Sequence, residues 1–350
     1  MNRSFLALLG LSIVIVVLYH TTVMLDVIPE ELGYPRIEYR YMTILAVVRS
    51  IGIFAVPTFL FISGSFFAYA SQARGKDTNF AYKVSWRNIM HVLWPYLIWS
   101  IAFYIAVNIG RDETYTIPGY IKNLIVGYPY HFIPILVFYY AIAPILVLLS
   151  KRFGWIVIGV IAIYQVFLIC LLYPGILGVD LPQWMNSLAP PVLKETMATW
   201  GIFFPMGLIY GMNMRKIMPE LKKFKWYSLV STVTLFALTV LNLTSIINAP
   251  WAQFLCPVAF LLLVPIINRQ SIPMGRSFEM IGQRVYGVYL THMLVLYITL
   301  LIIDAVAPIL FNYRILLIPG LFALALGLPL ITMKVFSQSR VRILYQYVFG

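Results

Sequence analysis

The sequence predicts an all-α polytopic membrane protein with about ten transmembrane helices and both termini in the cytoplasm. Of its 350 residues, 61% are hydrophobic and only 11% are charged, whereas soluble domains carry roughly 25% charged residues. Ten apolar stretches can be drawn, and the segments between them alternate between basic and acidic. Because a soluble core cannot absorb this much apolar surface, the bilayer is predicted to surround most of these side chains.

Each apolar stretch is assigned as a span on its length, since about 20 apolar residues cross the hydrocarbon layer. The first stretch follows Arg3, but it is too long for the apolar core of a signal peptide and no small-residue cleavage site closes it. The seventh and eighth stretches meet at a tight turn, Asn248-Ala249-Pro250. The predicted spans are 4–25, 42–69, 89–109, 131–149, 155–173, 196–213, 227–247, 250–267, 285–303 and 315–334.

The charged residues predict the orientation. Of the 25 basic residues, 18 fall in alternate connecting segments, beginning with Arg3, while 6 fall on the opposite side. Nine of the 12 acidic residues also lie on that opposite side. Since cytoplasmic segments retain lysine and arginine, the basic side is predicted to be cytoplasmic. This placement explains the net charge of +13 without nucleic acid as a partner.

Other function classes are disfavoured by what the sequence lacks. It has no Walker loop, no His-Glu-x-x-His, no Gly-x-Ser-x-Gly and no Cys-x-x-Cys, which argues against an ATP-driven pump or a metallopeptidase. No metal is expected. The two cysteines, Cys170 and Cys256, lie in apolar runs and are interpreted as packing residues.

Three polar side chains lie inside predicted spans, where such groups usually face a partner or a wet cavity. His20 and Arg49 are predicted to lie roughly 8–10 Å below the outer boundary, and His292 roughly 10 Å from the cytoplasmic one. One interpretation is a polar channel in which a histidine acts as general base, because its pKa is near neutrality. The alternative is that each histidine only hydrogen-bonds a neighbouring helix.

Basic residues gather on the predicted cytoplasmic side before the third span, and Arg284 opens the ninth span. Such a cluster could bind a phosphate-rich ligand such as coenzyme A, although membrane topology and contact with anionic lipids, which need no ligand, are the simpler interpretation from these residues alone. The cluster consists of Arg74, Lys76, Lys83, Arg87 and His91.

Several segments together resemble the acyltransferase-3 family of integral membrane acyltransferases. The first span closes with VVLYHTT on His20, the second contains FAVPTFLFISGSFFAY with Ser63 and Gly64, and WRNIMHVLWPYLIW follows with Arg87. Near the end, IGQRVYGVYLTHMLV contains Tyr286 and His292 and resembles the family's Gly-x-x-Ser-Tyr-Gly-x-Tyr-Leu-x-His. A weaker match is YHFIPILVFYYAIAP at 130–144.

The resemblance implies a membrane-bound O-acyltransferase of the cell (inner) membrane. It implies acyl-CoA, most simply acetyl-CoA, as the cytoplasmic donor, and an acetyl or succinyl group passed to a glycan or lipid-linked sugar. Other polysaccharide-synthesis proteins are the partners that the resemblance suggests. The implied catalytic residue is His20, as general base or acyl relay. Arg49 is expected to assist it by stabilising negative charge on the substrate oxygen. Implied cofactor-binding residues are Ser63, Gly64, Arg87, His91, Arg284, Tyr286 and His292, and implied substrate-binding residues are His131 and Tyr139.

The chain departs from the family pattern in one important place. The family usually has an arginine ten intervening residues before its first-span histidine, and here that position is Leu9. This departure places the chain near the divergent biofilm-polysaccharide members, which are linked to modification or export. A non-catalytic translocator of polysaccharide or lipid-linked sugar is therefore the alternative function.

Overall fold

The computed structural model describes residues 3–72, 78–111, 113–338 and 342–350, and this part of the chain is helical with no strand. The helices are α1 Arg3–Glu31, α2 Tyr39–Ser50, α3 Ala55–Gln72, α4 Thr78–Arg111, α5 Ile117–Val126, α6 Phe132–Phe153, α7 Ile156–Leu172, α8 Lys194–Trp200, α9 Phe203–Lys223, α10 Lys225–Leu243, α11 Ala252–Leu263, α12 Gly275–Gly282, α13 Val285–Val306, α14 Arg314–Gln338 and α15 Tyr345–Val348.

The all-α membrane fold is confirmed. Within the described residues, seven helical segments are long and apolar enough to cross a bilayer: Arg3–Glu31, Tyr41–Gln72, Phe80–Arg111, Phe132–Phe153, Lys225–Leu243, Val285–Val306 and Pro308–Gln338. The predicted fifth and eighth spans correspond to the shorter apolar helices Ile156–Leu172 and Ala252–Ile266. The predicted sixth span is divided between α8 and α9.

The division of the sixth span has a specific cause. The backbone stays near helical angles at Gly201 and Ile202, but the helical hydrogen bonds are interrupted there and side chains from two other helices take the freed groups. The Gln165 side chain accepts from the Ile202 N–H at 2.8 Å and donates to the Ala198 carbonyl at 2.9 Å. The Tyr139 hydroxyl donates to the Gly201 carbonyl. Buried backbone groups need such partners, so the break is stabilised by tertiary contacts.

Helix α1 lies at the centre of the bundle, where it packs against α3, α12, α13 and α14. It also continues to Glu31, six residues beyond the predicted end of the first span. Just beyond the end of α1 the Tyr34 hydroxyl donates to the Asp304 carboxylate at 2.7 Å, and this hydrogen bond raises the pKa of Tyr34. The contact joins the segment that follows α1 to the last turns of α13.

Two helix crossings depend on glycine. A Cβ atom at Gly10 would lie 1.8 Å from the Phe278 carbonyl oxygen on α12, and one at Gly207 would lie 1.8 Å from the Phe61 carbonyl oxygen on α3. Small residues allow membrane helices to approach this closely. Gly64 belongs to the second crossing, because its own Cβ would meet the Phe204 carbonyl oxygen at 2.2 Å.

We expect Gly207→Ala to destabilise the protein, because the methyl group collides with backbone rather than with a movable side chain. Overpacking of this kind costs about 1–3 kcal/mol. The matched control is Gly327→Ala in α14, where a Cβ meets no atom within 4 Å. The fraction of folded protein left after heating, measured by size-exclusion chromatography in detergent, should fall only for Gly207→Ala, and equal curves would contradict the steric explanation.

Candidate active site

Two histidines from distant parts of the chain form a pair in the bundle. His20 Nδ1 on α1 lies 3.0 Å from His292 Nε2 on α13, and the ring centroids are 5.1 Å apart. His292 is completely buried, whereas His20 is partly exposed and lines a cavity. The pair therefore has one inner member and one member that a ligand can reach.

The hydrogen bonds of the pair assign its tautomers when both rings are neutral. His292 Nδ1 lies 3.0 Å from the Val288 carbonyl oxygen, and since a carbonyl can only accept, Nδ1 must carry the proton. His292 Nε2 then has only a lone pair and accepts from His20 Nδ1–H. His20 Nε2 is consequently left unprotonated, which is the form a general base requires.

One cavity, of about 380 Å³, contains His20, Arg49 and His131 in its wall; we call it the outer cavity after the orientation that the charges predict, and its counterpart the inner cavity. Its lining comes from the predicted outer ends of several spans. Many of the other lining side chains are aromatic or polar: Tyr19, Phe132, Tyr173, Thr199, Trp200, Gln253, Phe254 and Tyr289. The cavity therefore suits a ligand that offers both hydrogen-bonding groups and flat apolar faces.

Arg49 is held at the edge of this cavity by α1. Its Nη2 donates to the Thr22 carbonyl at 2.7 Å and to the Asp26 carboxylate at 3.2 Å, and its Nε donates to the Thr22 hydroxyl at 3.3 Å. The guanidinium is thus fixed in direction and partly neutralised. The structure brings Arg49 and His20 to one cavity, but His20 donates its hydrogen bond to His292 and not to a group of Arg49 or its partners.

The inner cavity, of about 240 Å³, lies on the other side of the bundle's centre. It is lined by Ser63, His91 and Tyr286 from the predicted cofactor set, and by Leu9. The Tyr286 hydroxyl donates to the Val92 carbonyl at 2.6 Å, which joins α13 to α4 along the cavity wall. Leu9, the position where the resemblance implies an arginine, therefore presents an apolar side chain to this cavity.

Of the described residues of the predicted basic cluster, only His91 lines the inner cavity. Lys83, Arg87 and His91 are spaced four residues apart on α4 and are exposed, so they form one stripe along the helix. Arg284 lies at the start of α13 and donates to the Met280 carbonyl at 3.5 Å. Arg74 and Lys76 lie outside the described residues.

Five predicted site residues line neither cavity, namely Arg87, Arg284, His292, Gly64 and Tyr139, and the last two are engaged in helix packing. Gly64 faces the crossing with α9. Tyr139 is buried, with its ring 5.1 Å from that of Phe204 and its hydroxyl on the Gly201 carbonyl. Both positions have packing contacts that account for them.

A bundle of long apolar helices around a histidine pair beside a cavity is the architecture of a multi-pass membrane protein with a candidate internal site. The model of the acyltransferase-3 family, described as an acyltransferase domain, matches residues 7–334. The chain belongs to this family and is a membrane acyltransferase. No curated protein and no solved structure matches it.

Proposed function

We propose that this protein transfers a short acyl group, most simply acetyl, from cytoplasmic acyl-CoA to a hydroxyl of a glycan or lipid-linked sugar on the outer side of the inner membrane. The observation that carries the proposal is the histidine pair, which leaves an unprotonated nitrogen of His20 beside the outer cavity. A second cavity lies towards the basic stripe of α4. The arrangement supports a donor and an acceptor that arrive from opposite sides.

The chemistry proposed for His20 is general base catalysis. Its Nε2 takes the proton of the acceptor hydroxyl as the oxygen attacks the thioester carbonyl carbon. The carbon–sulfur bond then breaks, and the imidazolium returns the proton to the departing thiolate, so the products are an ester and free coenzyme A. Throughout the cycle His20 Nδ1–H keeps its acceptor on His292, which holds the ring in one orientation.

Arg49 is proposed to stabilise the negative charge that develops on the thioester oxygen. Its Nη1 makes no hydrogen bond to any described residue, whereas Nε and Nη2 are occupied by Thr22 and Asp26. A pre-oriented cation in a site without bulk water stabilises such charge without reorganising. The bonds to α1 supply that orientation.

The donor is proposed to bind with its phosphates on the basic stripe and its thioester end in the inner cavity. Lys83 and Arg87 are exposed, and His91, one turn further along α4, lines the cavity. Because the wall at Leu9 carries no charge, phosphate recognition is assigned to the stripe at the mouth. The apolar part of the cavity suits the pantetheine arm and a short acyl chain.

The acceptor is proposed to be a sugar because of the lining of the outer cavity. Aromatic rings present apolar faces on which sugar rings stack, while Arg49, His131 and Gln253 offer hydrogen bonds. An apolar acceptor would leave these polar groups unpaired. A transfer assay identifies both the acyl group and the glycan.

The test is a transfer assay on the purified protein in proteoliposomes, with acetyl-CoA labelled in the acetyl group and a mixture of host surface glycans. The expected result is a glycan whose mass increases by one acetyl group together with release of free coenzyme A. Transport of the glycan across the membrane without any mass change would favour the translocator and refute the transferase.

We expect Arg87→Ala to weaken donor binding, because charge-assisted hydrogen bonds to phosphate contribute about 1.5–3 kcal/mol. The KM for acetyl-CoA should rise at least several-fold while kcat stays near that of the wild type. The matched control is Arg152→Ala, another exposed arginine on the predicted cytoplasmic side, which lies in the last turn of α6 and is not part of the α4 stripe. Equal KM values for the two variants would contradict the proposed phosphate site.

A further inference from the structure

The inner and outer cavities share two residues and no others. Phe132, the first residue of α6, and Tyr289, in the second turn of α13, line both cavities. Every other lining residue belongs to only one of them. His20 belongs to the outer cavity alone, so the two shared rings stand between a ligand in the inner cavity and the catalytic nitrogen.

The two rings form a closed contact. Their centroids are 5.5 Å apart at an interplanar angle of 77°, an edge-to-face geometry that is favourable for aromatic pairs. Phe132 also contacts Phe59 of the inner cavity, with centroids 5.9 Å apart. Only 6% of Phe132 and 7% of Tyr289 is exposed, so both residues are almost entirely enclosed by protein apart from the two cavities that they line.

Tyr289 is also close to the histidine pair. It precedes His292 by three residues on α13, so the two side chains share a helix face, and their ring centroids are 5.8 Å apart. A thioester that crosses between the rings therefore emerges at the histidine pair rather than elsewhere in the outer cavity.

We infer that Phe132 and Tyr289 form a septum between the donor and acceptor cavities, and that the opening it allows limits the size of the acyl group. The size limit rests on the proposed function, whereas the barrier itself does not. An acyl group must pass between these rings for its carbonyl to reach His20. A group as small as acetyl needs only a small displacement of the rings, while a longer chain needs a wider opening in close-packed surroundings.

The barrier is tested by thiol labelling, which does not require activity. The variant is His20→Cys in a background with Cys170→Ala and Cys256→Ala, and the probe is a charged methanethiosulfonate reagent applied to intact cells or to inverted vesicles. We expect labelling only from the face onto which the outer cavity opens. Adding Phe132→Ala should increase the labelling rate from the opposite face at least tenfold.

The matched control is Phe254→Ala, which removes the same side chain from a residue that lines only the outer cavity, and it should leave the opposite face unlabelled. If Phe132→Ala does not fold, Phe132→Leu and Tyr289→Leu replace it. Equal labelling from both faces with the septum intact, or no gain in any folded septum variant, would overturn the barrier.

The size limit is tested by transfer from acetyl-, butyryl- and hexanoyl-CoA. Opening the septum by Phe132→Ala should raise the ratio of hexanoyl to acetyl kcat/KM at least tenfold over the wild-type ratio, and Phe254→Ala should leave it unchanged. An unchanged ratio in Phe132→Ala would overturn the size limit. A wild-type protein that transfers no acyl group from any donor would refute the proposed function, and the labelling result would still decide whether the septum exists.

Discussion

Replacing His20 by glutamine is expected to abolish acyl transfer while the protein still folds. The glutamine amide can donate to His292 Nε2 as the His20 Nδ1–H does, but it cannot take a proton from a hydroxyl. General base catalysis contributes typically about 10²–10⁴-fold to a rate, so the turnover of acetyl-CoA should fall by at least two orders of magnitude. The measurement is the initial rate of coenzyme A release in the presence of glycan.

The control for this variant is Val27→Ala, an exposed position on the same helix, which should leave the rate unchanged. Thermal stability in detergent should be similar for the wild type and both variants. A His20→Gln protein that is folded and acylates glycan normally would remove His20 from the mechanism.

Replacing His292 by leucine is expected to have the second largest effect, because it removes the acceptor of the His20 Nδ1–H. The His20 ring is then free to turn or to adopt the other tautomer, and the loss of kcat should be on the order of 10²-fold or more. Since His292 lines neither cavity, the KM for acetyl-CoA should be unchanged. Steady-state kinetics with acetyl-CoA as the varied substrate separate the two constants.

The conservative variant His292→Gln distinguishes this positioning role from simple packing. Its side-chain oxygen can accept from His20 Nδ1–H, so it should recover much of the lost kcat. If leucine and glutamine variants of equal stability have the same kcat, or if kcat and KM change together, the positioning role is wrong.

The helices were predictable because apolar length alone defines most of them. The break in the sixth span was not, because residues 196–213 read as one apolar run and the partners that stabilise the break, Gln165 and Tyr139, come from other helices. The role of Tyr139 could not be predicted either, because it depends on a contact with another helix. Its motif suggested substrate binding, but the structure shows a hydroxyl engaged with the backbone at Gly201.

The histidine pair was missed because the first span was predicted to end too early. Ending it at residue 25 placed His20 near the outer surface and far in depth from His292. The helix continues to Glu31, and six further residues amount to about 9 Å, which moves His20 towards the middle of the bundle. That Arg49 and His20 line the same cavity could be predicted from the sequence, because both residues are predicted to lie at a similar depth below the same membrane surface.

The histidine pair has a consequence for biogenesis, because its members are separated by 272 positions in the chain. During synthesis α1 enters the membrane early, and its imidazole has no oriented partner until α13 has been inserted and docked. On the proposed mechanism, a nascent or prematurely terminated chain without α13 has no assembled histidine pair and cannot waste thioester by hydrolysis. Activity is then expected only after α13 has docked against α1.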